Sequence, residues 1–140
     1  MSLAIKLADC RTDLPLAARS VVEFDDDENG GYYWFLYPLF VQLAEKTGQL
    51  IELYGAAEFR GDALLLLQET LRKARRLVTE QSEEWSVDVG TQTLPNAPEQ
   101  APRTVFKKVE RAKFVLLVDA LLAIVELARS TGVAVVCFGD

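Results

Sequence analysis

From Phe114 to Val125 the only charged residue is Asp119; every other position is Phe, Val, Leu, Ile or Ala. A helix apolar along one stripe lies on a surface, whereas one apolar all round is enclosed by a core or a bilayer. Glu110, Arg111 and Lys113 precede the run, and Glu126 and Arg129 close it. That is well short of the roughly 18 uninterrupted apolar residues of a membrane span. The pattern predicts a central helix over residues 104–131, with the rest of the chain packed on it and no membrane crossing.

A second helix is predicted over 62–81. Leu64, Leu67, Leu71, Ala74 and Val78 recur at spacings of three and four, a seam for another helix. Asp62 is the expected N-cap. A third helix is expected over 36–47. Pro38 is tolerated only in a first turn, and Gly48 supplies a C-terminal stop. Alternation of apolar and polar side chains marks short strands at Leu3–Leu7, Val21–Phe24, Leu50–Tyr54 and Trp85–Val89. The continuous apolar run 133–138 reads as a strand buried on both faces. Residues 91–103, with Pro95, Pro98 and Pro102, form a long loop. The expected architecture is α+β and helix-dominated: three main helices with a small sheet of short strands. At 140 residues the chain fits one globular domain, 1–140, within the usual range of about 100–200.

The most distinctive local stretch is Asp25-Asp26-Asp27-Glu28-Asn29-Gly30-Gly31. Asp25, Asp27, Asn29 and Gly30 match the opening of a calcium-binding loop, but Leu36 stands where the bidentate Glu belongs. No metal site is therefore expected, and a solvated acidic turn explains the same residues. Directly after it come six of the chain's thirteen aromatics, from Tyr32 to Phe40. These either fill a core or line a binding surface, where Tyr and Trp are enriched. Tyr32 and Trp34, adjoining the turn, are the candidates for surface anchors.

Charge narrows the partners. The net charge is −6, with ten acids against five bases in residues 1–60 and eleven against ten in residues 61–140. Such a surface repels nucleic acid and anionic membranes and favours a basic protein. Two basic segments, Arg72–Arg76 and Arg103–Lys113, would join into one patch if their helices were neighbours. No histidine is present, so serine triads, Cys-His pairs and His-ligated zinc cannot be built from this chain. No nucleotide motif is visible, and no cofactor is expected. Cys10 and Cys137 are the only cysteines, too few for a secreted disulfide scaffold, which points to the cytoplasm. The amino terminus has no signal-peptide pattern. Asp119 would be costly if buried alone; pairing with an Arg of the second helix, or exposure, is the expectation.

Together these features favour a small acidic cytoplasmic protein-binding module over an enzyme. Asp25, Asp26, Asp27 and Glu28 would steer a basic partner, and Tyr32 or Trp34 would anchor it. An inhibitor of the immunity or antitoxin kind has this size and charge. Self-association as a homodimer through the apolar central helix is the alternative, and a small ligand in an aromatic-lined pocket is the third.

Overall fold

The computed structural model describes residues 2–7, 21–25, 30–92 and 103–139. Its elements run β1 (Ser2–Leu7), β2 (Val22–Asp25), α1 (Gly30–Thr47), β3 (Ala56–Phe59), α2 (Asp62–Thr79), β4 (Glu84–Gln92), β5 (Arg103–Glu110), α3 (Arg111–Thr131) and β6 (Val135–Gly139). Four strands form an antiparallel sheet in the order β2-β1-β6-β3, and β4 and β5 form a separate hairpin. The fold is α+β with three helices, as the periodicities predict. Among the described residues no helix is long and apolar enough to cross a membrane.

The core lies between the sheet and the helices. Each strand of the sheet sends alternate side chains inward: Leu3, Ile5 and Leu7 from β1, Val22 and Phe24 from β2, Ala57 and Phe59 from β3, Val135 and Cys137 from β6. The α2 seam behaves as its spacing predicts, with Leu64, Leu67, Leu71, Ala74 and Val78 all buried. It packs beside α3, which buries Phe114, Val118, Leu121, Ile124, Val125 and Ala128. Across this contact Arg75 Nε donates to Asp119 Oδ1 at 2.7 Å, the pairing expected for that carboxylate. Both side chains remain partly exposed, so the bridge contributes little stability.

Several boundaries differ from expectation, each for a physical reason. The first helix starts at Gly30 rather than near Pro38, which sits inside it on an exposed position. A proline there removes one intrahelical bond, but the packing of Tyr33, Leu36, Phe40 and Leu43 outweighs that local loss. The aromatic burst is therefore helical. Residues 104–110 are strand, not helix, and α3 begins at Arg111. In β5 the burial alternates, Val105, Lys107 and Val109 being more covered than Thr104, Phe106 and Lys108. Leu50–Tyr54 forms no strand. Its backbone is held instead by Tyr33, whose hydroxyl donates to the Ile51 carbonyl at 3.0 Å. The N-cap of α2 is Gly61 with no side-chain cap, and Asp62 is the first helical residue. Finally, α3 is not enclosed on all sides: Leu116 is 71% exposed.

The hairpin docks through an aromatic cluster. Phe114 receives Tyr32 and Phe35 edge-on at 5.0 and 5.2 Å and stacks on Trp85 at 6.0 Å. Gly31 lets β5 approach α1, since a Cβ there would lie 3.0 Å from that of Lys107. At the turn from β5 into α3, Glu110 N–H donates to the Tyr32 hydroxyl and Arg111 N–H to the Glu83 carbonyl.

Phe114→Ala should lower the free energy of unfolding by about 3–5 kcal/mol, read by denaturant melts, because one ring serves α1, α3 and the hairpin together. Gly139→Ala would drive a methyl into the Leu53 backbone. It should cost about 1–3 kcal/mol, the usual range for overpacking.

Candidate functional site

Side chains alternate along a strand, so the register that fills the core also fixes what the opposite face displays. The described helices cover the inward face of the sheet. On the outward face, Glu23, Ala4, Phe138 and Ala56 line up across the four strands in one row. Lys6, Val136 and Glu58 form the next, and Asp25 stands opposite Ser2. The two central strands thus offer Ala4, Val136 and Phe138, while acids stand on both edge strands. Phe138 is 51% exposed, and the Lys6 ammonium lies 5.8 Å from its ring centroid. That cation–π contact covers part of the ring. On the β3 edge, Glu58 is bridged by Arg60, and its N–H donates to Gln49 Oε1 at 2.9 Å.

This surface has an apolar centre and a charged rim, the anatomy of a protein-binding patch. No histidine or cysteine stands among its described outward-facing residues. Cys137, next to Phe138, points inward, and burial pushes its thiol up to about 12. It is a small core side chain rather than a reactive thiol.

The sequence-predicted site residues are only partly brought together. Asp25 ends β2 on the outward face. Asp26, Asp27 and Glu28 follow it in sequence but lie outside the described residues, as does Cys10. Tyr32 is in the core against Phe114, its hydroxyl accepting from Glu110. It presents no ring to a partner, which corrects its reading as a surface anchor. Trp34 is half-buried on α1, 5.2 Å from both Tyr33 and Tyr37. That helix packs under Phe24, on the helical side of the sheet, away from the outward face of Asp25.

Phe138, Val136 and Ala4 were not singled out in the sequence. The signal was present in β6: Val135 to Phe138 reads as buried on both faces, yet among the described residues Phe138 stays 51% exposed. The second basic segment, where α3 begins, adjoins the carboxyl end of α2. Lys108 and Lys113 are bridged to Glu84 and Glu110, and Arg111 donates to the Gln81 carbonyl.

No protein-family model matches the chain, and neither a curated protein nor a solved structure resembles it significantly.

Burial of Cys137 generates a pH prediction. Its thiol is held above the ordinary 9.0, at about 12, so the fold favours the neutral form. That stabilisation is complete below about pH 9 and is lost as pH rises towards 12. Urea melts over this window should show falling stability, with a shallower fall in Cys137→Ala. In a Cys10→Ser background the remaining thiol should react with a disulfide reagent at neutral pH only after unfolding.

Proposed function

We propose that this chain is a protein-binding module that presents the outward face of its sheet to a basic partner. One observation carries the reading: a central strand, β6, is apolar on both sides, and among the described residues the helices cover one of them. Solvent-facing strands of antiparallel sheets ordinarily alternate with polar residues. Val136 and Phe138 break that pattern where Ala4 and Ala56 flank them. Glu23, Asp25 and Glu58 on the borders, with Asp26, Asp27 and Glu28 next in sequence, would steer a cationic partner. Phe138 would be its central anchor. The absence of histidine favours binding over catalysis. A free buried Cys137 is compatible with a reducing compartment such as the cytoplasm.

Self-association is a second reading with its own observation. Leu116 is exposed on the outer face of α3, one turn from the exposed Ala112 and Ala120. A helix of a second copy could pack on these positions. Sedimentation across a concentration range separates the readings: a dimer abolished by Leu116→Glu but unaffected by Phe138→Ala would favour self-association.

The test of the first reading is capture from native cell extract with wild type and three variants. A basic protein retained at low salt should be lost with Phe138→Ala, and with Glu23→Gln combined with Asp25→Asn. It should persist with Phe106→Ala, an equally exposed aromatic on the hairpin. Truncating a central anchor typically weakens binding by about tenfold or more. Equal retention by all variants would contradict this surface.

A further inference from the structure

On the helical side of the molecule, α1 and α2 enclose a groove of about 440 Å³. From α1 it takes Leu39, Gln42, Leu43 and Lys46; from α2 it takes Leu66, Glu69, Lys73 and Arg76. Spacings of three and four on both helices mean that one face of each forms a wall. From Leu66 to Arg76 the groove follows α2 for about 15 Å, at 1.5 Å per residue. Leu39 and Leu43 form a buried floor, and Leu66 is half-buried beside them.

Apart from Lys6, which lies over the Phe138 ring, and Lys107, the described cations outside the groove are engaged by polar partners. Arg60, Arg75, Lys108 and Lys113 are bridged to carboxylates, and Arg111 and Arg129 donate to a carbonyl and to Gln68. Lys46, Arg72, Lys73 and Arg76 line the groove with no carboxylate within ion-pair distance among the described residues. Glu69 is the one acid among the lining residues. In a chain of net charge −6, four unbridged cations along one groove are a concentrated positive surface.

We infer that this groove binds an acidic amphipathic helix supplied by a partner protein. Arg72, Lys73 and Arg76 span about 6 Å of α2 and Lys46 adds a fourth cation from α1, while the groove runs on past them to Leu66, a length that suits an extended ligand. The walls have the length and spacing that a short helix reads with side chains at i, i+3, i+4 and i+7. The floor is aliphatic and offers no aromatic ring on which a nucleobase could stack. Because the floor leucines are already buried, charge contributes more than apolar contact, and binding should depend strongly on salt.

The probe is a fluorescein-labelled peptide of about 14 residues, long enough to follow the groove, with Glu on one face and Leu on the other. Anisotropy titrations at low and high salt would compare it with a scrambled peptide of equal composition, an oligothymidylate and phosphatidylserine vesicles. The expected result is saturable binding of the patterned peptide at low salt, weakened about tenfold or more by Arg72→Gln with Arg76→Gln. Arg75→Gln, on the same helix but directed to Asp119, should leave it unchanged. Both variants change exposed side chains, and thermal melts would verify that they fold. No binding at low salt, equal binding by the double variant, or equal binding of the scrambled peptide would overturn the inference. So would tighter binding of the oligonucleotide or the vesicles.

Discussion

The position of β6 between β1 and β3 is the constraint on which the rest of the molecule depends. Its pairing with both neighbours joins the first strand to the one that precedes α2, and so makes one sheet from distant parts of the chain. Inward, Val135 and Cys137 complete the floor on which α2 and α3 rest. Outward, Val136 and Phe138 give the opposite face its apolar centre. A one-residue slip of register would exchange these two sets, burying Phe138 and expelling Cys137. The backbone of Gly139 against Leu53 and the bond from Gly139 N–H to the Gly55 carbonyl hold that register at the strand's end.

The second organising contact is aromatic. Tyr32, Phe35, Trp85 and Phe114 come from α1, the hairpin and α3, and their mutual edge and stacked contacts attach the hairpin to the helices. This explains why the aromatic density after the acidic run belongs mainly to the core. Rings contribute most where several elements meet.

Much of the helical core was legible because burial imposes its period on the sequence. The α2 seam is the clearest case, and the partner of Asp119 followed from the cost of leaving a carboxylate alone in an apolar run. The misreadings have equally local causes. In β5, Lys107 stands at a position of the covered face, against Gly31, so the alternation of Val105 and Val109 was obscured and the strand merged with the following helix. At α1 the rule against internal proline was overridden by tertiary packing. The proposed binding face was hardest to see, since an apolar run in one strand does not reveal whether its second face is covered by the same chain or by another. Of the acidic run, Asp25 alone lies among the described residues, at the border of that face.

The molecule has two surfaces of opposite character: an apolar sheet face bordered by acids, and a basic groove between α1 and α2. A binding module with both could hold two partners at once, or one partner that reaches around the fold. The central claim is that another protein covers the outward sheet face. Hydroxyl-radical footprinting tests it most directly, by comparing oxidation of Phe138 in purified protein and in native cell extract. The account predicts that Phe138 is protected in the extract while Phe106 stays equally reactive in both. Unchanged oxidation of Phe138 would contradict it.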